Sequence, residues 1–289
     1  MIRSAASAYG ALLARRLFHP PRRRHHRSPA ELGLEFSEAS TTTDDGVDLH
    51  LWVVPGGTDK VAVVGHGIGL TKSASIAHAR LLHDEGFTVV MFDHRNHALS
   101  GHDPSTQQLS DKFTRDVEAT VRYAQEIRPD ATTTVVWGFS FSSFPSFYVL
   151  GRDACRVDAV LCDSGPAEQL APLFGGFIDA GALPVPRPFR RGRAREALVS
   201  RCAEVATQML DAQWPPPAEA GTFATTPMLF LVGEDDPIVP AALVHALAAH
   251  YPGARAEVVQ GGHLNGMKID PEGYGAHVRA FLAAVPAAR

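Results

Sequence analysis

The residue with the clearest potential for chemistry is a serine that closely follows an apolar run. Val135-Val136-Trp137 leads into Gly138-Phe139-Ser140-Phe141-Ser142, and a segment with helical spacing follows. A serine on a sharp strand-to-helix turn holds its hydroxyl above the sheet, and the residues two positions before and after it must be small. Gly138 and Ser142 meet that condition, so the pattern predicts that Ser140 is a nucleophile. An ordinary polar turn is the alternative interpretation.

Groups that could stabilise negative charge lie in a glycine-rich turn after an earlier apolar run. Val61-Ala62-Val63-Val64 is followed by Gly65-His66-Gly67-Ile68-Gly69. We expect the backbone N–H groups of Ile68 and Phe141 to converge on a developing oxyanion. A phosphate-binding loop is the alternative, but the G-K-[ST] sequence is missing and the spacing fits no dinucleotide fingerprint. We interpret His66 as a neutral, hydrogen-bonded histidine that shapes the turn.

A histidine suited to act as the base follows the last apolar run. Arg255-Ala256-Glu257-Val258-Val259 precedes Gln260-Gly261-Gly262-His263, and the glycines allow a tight loop that turns His263 inward. An imidazole within reach of a serine hydroxyl can accept its proton. A histidine in a surface loop is the alternative, since the chain has 14 histidines.

Two adjacent aspartates are candidates for the acid that orients this histidine. Asp235 and Asp236 follow the apolar run at residues 228–232, where a carboxylate at a strand's carboxyl end can reach an imidazole. We favour Asp236 because Pro237 biases it toward extended backbone, whereas Asp235 suits a surface turn.

A cluster of polar residues closes a further apolar strand, in the run Phe92-Asp93-His94-Arg95-Asn96-His97-Ala98-Leu99-Ser100. We expect Asp93 and Arg95 to pair with each other and Ser100 to stabilise the loop beside the site. A metal site built from Asp93, His94 and His97 is the alternative, and we disfavour it. The sequence contains no C-x-x-C or H-E-x-x-H pattern that would indicate a metal.

The segments that must position these residues alternate between strands and helices. Short apolar runs of the kind found in strands with both faces covered lie at residues 61–64, 88–92, 134–137, 157–161 and 228–232, and a further strand is predicted at residues 255–259. Helical spacing is found near residues 73–85, 111–127, 141–150, 240–250 and 272–285. The alternation predicts an α/β fold with a doubly wound, mostly parallel sheet, to which residues 47–54 add an antiparallel strand.

Two segments lie outside this alternation. Residues 166–225 have helical patches, prolines that include Pro184, Pro186, Pro188 and Pro215, and no convincing strand. We interpret them as a helical cap over the carboxyl ends of the strands. Residues 1–45 comprise an amphipathic helix, ended by His19-Pro20-Pro21, and a basic arm. We expect the helix to pack near the cap and the arm to be solvated. Residues 46–165 and 226–289 then form the core.

Composition disfavours several classes of protein. The 289 residues are 45% hydrophobic and 20% charged, as in an ordinary globular domain, and the net charge of −4 does not suggest a nucleic-acid binder. No stretch approaches the roughly 20 apolar residues that span a bilayer, and the Ala-rich N-terminal helix is too weak for stable membrane anchoring. Three cysteines, with Cys162 in an apolar run, fit inert thiols in a reducing compartment, so we expect a cytoplasmic protein.

Four of these motifs, taken in order, resemble the α/β-hydrolase superfamily in the branch with a helical cap. They are the His66 turn, the Asp93 cluster, the Ser140 turn and the pair Asp236 and His263, and they span roughly residues 45–285. The chain order serine, aspartate, histidine is that of the superfamily. Because some relatives carry the acid one strand earlier, Asp163 is a reserve candidate beside Asp235.

Two features depart from the usual pattern of that superfamily. Ser142 stands where the second glycine of G-x-S-x-G is common, and Asn96 and Ala98 replace the glycines of D-x-R-G-H-G-x-S. These departures leave the fold prediction unchanged and make a standard esterase subfamily less certain.

The resemblance implies acyl chemistry that needs no cofactor and no metal. Ser140 would attack an ester or thioester of a small molecule, with His263 as base and Asp236 as the orienting acid. We expect Phe139, Phe144 and Leu264 to line a partly apolar substrate pocket.

Three further expectations concern partners and alternatives. The cap arginines could grip a carboxylate or a carrier-linked substrate, with a solvated loop as the alternative; they are Arg187, Arg190, Arg191, Arg193 and Arg195. The first alternative function is a lyase that eliminates acetate or another carboxylate from an O-acylated natural-product intermediate, as in the formation of exocyclic methylenes on tetronates. The second is a catalytically inactive binding protein.

Overall fold

A computed structural model describes residues 2–181 and 183–286 of the chain. These residues form eight strands, which are β1 (Ser37–Thr42), β2 (Asp48–Val54), β3 (Lys60–Val64), β4 (Thr88–Phe92), β5 (Thr133–Phe139), β6 (Ala159–Asp163), β7 (Met228–Gly233) and β8 (Ala254–Val259). They also form nine α-helices, which are α1 (Ile2–Phe18), α2 (Ile76–Asp84), α3 (Leu109–Ile127), α4 (Ser143–Tyr148), α5 (Leu170–Asp179), α6 (Gly192–Leu210), α7 (Ala241–Ala248), α8 (Gly266–Ile269) and α9 (Pro271–Leu282). Short 3₁₀ helices cover Pro29–Leu32, Lys72–Ser75, Ser140–Ser142, Val149–Gly151 and Arg187–Phe189.

The strands form one sheet with the order β1-β2-β4-β3-β5-β6-β7-β8. β2 pairs antiparallel with β1 and β4, and every pairing from β4 to β8 is parallel. The chain places β4 on one side of β3 and β5 on the other, so the strand order reverses between β3 and β5. Ligands of open α/β sheets bind beyond the carboxyl ends of the strands at such a reversal. The predicted doubly wound, mostly parallel sheet is confirmed.

The apolar runs are strands with both faces covered. In β3, Val61 and Val63 face one hydrophobic cluster, Ala62 and Val64 face another, and all four are fully buried. Helix α3 contributes to the first cluster, and helices α2 and α9 contribute to the second. Cover on both faces explains why these strands are apolar throughout rather than alternating.

The first strand was not predicted from the sequence. Residues 37–42 are all small or polar, and most of them are exposed. They form a strand because β2 offers them an open edge with unpaired backbone groups. The core therefore begins at Ser37, within the segment 1–45 that was predicted to lie outside it.

The cap layer contains three long helices, of which α5 and α6 lie in the predicted cap segment and α1 packs along α6. The two backbones approach closely because Gly10 faces α6; a Cβ at this position would lie 2.4 Å from the carbonyl oxygen of Leu198. Ala6 and Ala14, one turn on either side, are fully buried. Helix α1 ends at Phe18, directly before the predicted stop. No helix in the described ranges is both long enough and apolar enough to cross a membrane.

The basic arm that follows α1 is partly solvated, as expected, and partly bound to the core. Arg22, Arg23, Arg24 and His26 are exposed, whereas His25 and Arg27 are half-buried. Arg22 Nη1 donates to the carbonyl oxygen of Ala98 at 3.2 Å. His25 Nε2 lies 2.8 Å from Oδ2 of Asp93, a carboxylate that is fully buried. Buried acceptors need donors, and the core loops obtain some of theirs from the arm.

The three cysteines are free, and burial makes their thiols unreactive. Burial raises the pKa of Cys162 well above its ordinary value, that of Cys202 to about 11 and that of Cys155 to about 12. Because the thiolate is the reactive form, none of the three is suited to act as a nucleophile near neutral pH.

The close contact of α1 with α6 predicts a reversal of the usual effect of glycine substitution. Replacing a helical glycine with alanine normally stabilises a helix by about 1 kcal/mol. We expect Gly10→Ala to destabilise the fold by about 1–3 kcal/mol, because the new methyl group overlaps the backbone of α6.

The matched control is Gly175→Ala in α5, where the nearest atom to a new Cβ is Val199 Cγ1 at an ordinary 3.7 Å. Thermal unfolding followed by circular dichroism should show a lower Tm for Gly10→Ala and an equal or higher Tm for Gly175→Ala. Equal stabilisation by both substitutions would contradict the packing described for α1.

Candidate active site

The turn after β5 holds Ser140 in a conformation that directs its hydroxyl toward His263. Ser140 has φ +49°, in the left-handed region, and begins the 3₁₀ helix that leads into α4. A Cβ on Gly138 would lie 2.5 Å from both Ser142 O and Ser146 Oγ, so only glycine fits at this point. The predicted strand–turn–helix arrangement is present. The predicted helix at 141–150 is a short α-helix between two 3₁₀ turns.

The structure brings the three predicted residues together in one hydrogen-bonded chain. His263 Nε2 lies 2.9 Å from Ser140 Oγ, and His263 Nδ1 lies 2.9 Å from Asp236 Oδ2. The other carboxylate oxygen of Asp236 accepts the N–H groups of Ile238 and Val239 at 2.8 and 2.9 Å. The Asp236 side chain is fully buried, and that of His263 is 15% exposed. This geometry suits proton transfer from the hydroxyl to the imidazole.

Neither alternative aspartate contacts His263. Asp235 is exposed, and its N–H donates to the carbonyl oxygen of Gly261. Asp163 is buried at the end of β6, where it accepts hydrogen bonds from Tyr274 and Ser164. Burial raises the pKa of Asp163. Of the three candidates, Asp236 alone is placed to orient His263.

The turn after β3 lies beside Ser140, and its backbone is held by histidines. Within residues 2–181 and 183–286, the N–H group of Ile68 has no hydrogen-bond partner. The N–H of Phe141 lies in the first turn of a 3₁₀ helix, where such groups lack helical partners. Next to Ile68, Gly69 donates its N–H to His97 Nε2 at 3.0 Å. Ile68 and Phe141 line the same cavity as Ser140, and the oxyanion role of their N–H groups stays a prediction.

Three buried histidines form a neutral cluster beneath this turn. His66 Nδ1 donates to Gly67 O, and His66 Nε2 accepts the N–H of His94. His97 Nδ1 donates to Arg95 O, while its Nε2 accepts from Gly69. Burial lowers the pKa of His66, His94 and His97 to about 3 in each case. His66 therefore has the structural role predicted for it, and His94 and His97 use their ring nitrogens within the protein.

Asp93 and Arg95 do not pair with each other, and that prediction was wrong. Arg95 is fully buried and donates at 2.8–2.9 Å to three carboxylates from separate segments, which are those of Asp45, Asp103 and Asp116. A single carboxylate cannot satisfy the five N–H donors of a guanidinium, and several are needed when no water is in reach. Ser100 has the predicted role, since its hydroxyl donates to Asp93 O and accepts the N–H of His50.

Asp93 pairs instead with Lys72. Lys72 Nζ lies 2.5 Å from Asp93 Oδ2, 2.6 Å from His50 Nδ1 and 3.2 Å from His25 Nε2. The donor atoms of Asp93, His50 and His25 lie within 4.8 Å of one another, close enough to surround a cation, and the Lys72 ammonium occupies that place. Against the effect of burial, the His25 hydrogen bond and the Lys72 charge hold the pKa of Asp93 well below its ordinary range.

The residues that replace the usual glycines have the backbone conformation that glycine favours. Asn96 has φ +66° and Ala98 has φ +38°. Asn96 Oδ1 accepts the N–H of Asp103 at 2.8 Å, and Ala98 O accepts from Arg22 of the arm. These hydrogen bonds offset the strain of left-handed residues.

Ser142 fits in place of the second glycine for a different reason. Its hydroxyl lies 2.8 Å from His94 Nε2 and fills space beside Gly65, where a Cβ would lie only 1.9 Å from it. The hydroxyl of Ser142 therefore occupies the space that a side chain at position 65 would need, and glycine at position 65 leaves that space free.

A narrow apolar cavity of about 60 Å³ opens beside Ser140. No charged side chain of the described residues lines it, and its walls include an aromatic group made of Phe18, Phe141, Phe144, Phe174, Phe177 and Trp214. Phe144 was predicted from the sequence. The contributions of α1, α5 and Trp214 were missed, because apolar residues in a helical segment give no sign of which pocket they face.

Phe139 and Leu264 do not line this cavity, which corrects two predicted pocket residues. Phe139 belongs to β5 and stacks on Trp137, two residues earlier, because alternate residues of a strand share a face. Leu264 packs against the hydrophobic cluster that contains Phe139, on the other side of the Ser140 turn.

Comparisons with known proteins agree with this architecture. A family model described as alpha/beta hydrolase fold matches residues 61–179. A search of curated protein sequences found no match. Esterase Pf2001 of Pyrococcus furiosus has 21% identity and a TM-score of 0.70 over 92% of this chain and 96% of that chain.

Two further solved structures share the fold. Esterase EaEST of Exiguobacterium antarcticum has 15% identity and a TM-score of 0.61 over 86% of this chain and 100% of that chain. Epoxide Hydrolase A of Mycobacterium thermoresistibile has 18% identity and a TM-score of 0.62 over 88% and 100%, respectively. Identities this low establish the fold alone. The sheet topology, the family match over residues 61–179 and these structures show that the chain has the α/β-hydrolase fold.

Proposed function

We propose that this protein is a serine hydrolase that cleaves carboxylic esters or thioesters carrying a small, uncharged, apolar group. The observation that carries the proposal is the chain Ser140–His263–Asp236, with both contacts at 2.9 Å, at the wall of an apolar cavity. Esterases are among the proteins with the same fold, which supports this class of reaction.

The first half of the reaction follows from the positions of these groups. As Ser140 Oγ attacks the substrate carbonyl, His263 Nε2 takes the hydroxyl proton, and Asp236 stabilises the imidazolium through Nδ1–H. The carbonyl oxygen gains negative charge, and the N–H groups of Ile68 and Phe141 would donate hydrogen bonds to it. The leaving alcohol or thiol departs with the proton held by His263, and an acyl-serine remains.

The second half repeats these steps with water. His263 takes a proton from the attacking water, the acyl–oxygen bond to Ser140 breaks, and the serine recovers its proton as the acid is released. Each group returns to its starting state, so the cycle needs no cofactor.

The cavity walls define the substrate group. Apolar and aromatic side chains line the space beside Ser140, and a charged group placed there would lose its hydration without gaining a partner. The cap arginines stay outside this space: Arg195 pairs with Asp179, and Arg187, Arg191 and Arg193 are exposed. A carrier-linked substrate would therefore place its charged part at the surface and its acyl group in the cavity.

The test of the proposal is hydrolysis of short p-nitrophenyl esters and acyl thioesters in water enriched in ¹⁸O. We expect turnover by the wild type, solvent ¹⁸O in the released acid, and loss of turnover in Ser140→Ala. Ser40→Ala, which removes an exposed hydroxyl of β1 outside the site, is the control and should retain turnover.

An elimination would use the same serine, base and N–H groups but would break a different bond. With an O-acylated substrate that has an acidic neighbouring C–H, the appearance of an alkene and of acid without solvent ¹⁸O would replace the hydrolase proposal with the lyase. The absence of any turnover, together with tight binding of the substrates, would favour a binding protein.

The contacts of Asp236 predict which aspartate matters for turnover. An acid replaced by its amide leaves the imidazole in the wrong tautomer, so we expect Asp236→Asn to lower kcat by about 10⁴-fold. Asp235→Asn, at the exposed neighbour, is the control and should change kcat by less than about twofold. Equal effects of the two substitutions would remove Asp236 from the proposed role.

The place of Phe18 in the cavity wall predicts a change in specificity. Phe18 is 1% exposed, and its ring contacts that of Phe141 edge-on at 5.8 Å between centroids. We expect Phe18→Ala to enlarge the cavity and to move the preferred acyl chain toward longer members of a p-nitrophenyl ester series from acetate to decanoate. Leu12→Ala, on the exposed side of the same helix, should leave the preference unchanged. An unchanged preference in Phe18→Ala would show that the acyl group binds elsewhere.

A further inference from the structure

The loop that carries His263 is joined to the end of β6 by a relay of hydrogen bonds that the proposed reaction does not use. The N–H of Leu264, the residue after His263, donates to Ser164 Oγ at 2.9 Å. The Ser164 hydroxyl donates to Asp163 Oδ1 at 2.9 Å, and the Tyr274 hydroxyl donates to Asp163 Oδ2 at 2.5 Å. Asp163, Ser164 and Tyr274 are each at most 3% exposed.

Both residues joined by the first of these bonds have left-handed backbones. Leu264 has φ +58° and Ser164 has φ +56°. A residue with a side chain adopts this conformation only when its surroundings impose it, and such residues are concentrated at functional sites. Because Leu264 directly follows His263, its backbone conformation fixes the direction in which the chain leaves the catalytic imidazole.

The direction of each hydrogen bond is determined by the groups involved. A backbone N–H can only donate, so Ser164 Oγ must accept from Leu264 and give its own proton elsewhere. One carboxylate oxygen of Asp163 accepts the hydrogen bond from Ser164, and the other accepts the hydrogen bond from Tyr274. The buried carboxylate thus orients the serine hydroxyl toward Leu264.

The opposite side of the His263 loop is held independently. Asn265 Oδ1 accepts the N–H of Gly262 at 2.7 Å. The Phe177 ring stands edge-on to the imidazole at 6.1 Å. Loss of Ser164 would therefore loosen the exit from His263 without releasing the whole loop.

We propose that Ser164 is a positioning residue for His263: oriented by Asp163 and Tyr274, it holds Leu264 in the left-handed conformation that directs the imidazole toward Ser140. This inference rests on the proposed function, because it assigns Ser164 a role relative to His263, the base of the proposed reaction.

The test measures the reactivity of Ser140 in two ways. The first is the rate at which a short alkyl fluorophosphonate labels Ser140, which requires an aligned base but no ester turnover. The second is kcat and KM for the best ester. For Ser164→Ala we expect the labelling rate and kcat to fall by about 10- to 100-fold, since a misplacement of about 1 Å has effects of this size. Ser164 is one of the residues that line the cavity beside Ser140, but its hydroxyl is used within the relay. We therefore expect KM to change far less than kcat.

Rescue by glycine separates positioning from a general loss of structure. Glycine adopts a positive φ without strain. The double variant Ser164→Ala, Leu264→Gly should therefore have a kcat at least about tenfold higher than that of Ser164→Ala, within the range expected for alignment effects. Leu264→Ala removes almost the same side chain but keeps the Cβ, and in the Ser164→Ala background it should restore nothing. Ser40→Ala, at an exposed hydroxyl of the edge strand β1, is the control with unchanged kinetics.

A second variant tests the relay if Ser164→Ala folds poorly. Tyr274→Phe keeps the ring and removes only the hydroxyl that binds Asp163, and we expect a smaller fall in the labelling rate and in kcat. Wild-type kinetics in both Ser164→Ala and Tyr274→Phe, or equal rescue by Leu264→Gly and Leu264→Ala, would overturn the proposal. If the wild type is labelled at Ser140 but cleaves no ester, the proposed function fails while the labelling rates still decide the role of Ser164.

Discussion

The backbone of Ser140 is the constraint on which the rest of the site depends. The left-handed turn after β5 holds the hydroxyl above the sheet, and it requires glycine at position 138 because the strand and the following helix nearly touch there. A hydroxyl fixed in this way cannot move toward its partners. The loops after β3, β6, β7 and β8 must therefore bring their groups to it, and each does so from the carboxyl end of a parallel strand.

Buried polar groups hold the loops after β3 and β4 beneath the site. Arg95 joins three carboxylates, Lys72 and His25 satisfy Asp93, and neutral histidines accept or donate single backbone bonds. Buried charges destabilise a protein when they lack partners, whereas networks in which nearly every donor and acceptor is used fix one conformation. The basic arm completes one of these networks, so it forms part of the scaffold beneath the site.

Sequence patterns predicted the features that follow from local rules. Sequence patterns predicted seven of the eight strands. Those from β3 to β7 were predicted from apolar runs, since strands covered on both faces need apolar residues throughout. The site was predicted from the small residues around Ser140 and from the strands before Asp236 and His263. The structure brings these three residues within hydrogen-bonding distance.

The errors concern features that local patterns do not encode. β1 has no apolar alternation, because it needs only backbone pairing at an open edge. Asp93 and Arg95 are neighbours in sequence, yet their partners come from segments distant along the chain. The cavity walls depend on how α1 and α5 pack over the sheet, and the role of Ser164 depends on two loops that meet only in the folded chain.

The central claim is that Ser140 forms a covalent acyl intermediate with the substrate. Rapid mixing of the wild type with excess ester, quenching in acid and intact-mass analysis tests it most directly. The account predicts one additional acyl group per chain, located on Ser140 by peptide mapping. Product release without any acyl adduct, or an adduct on another residue, would contradict it.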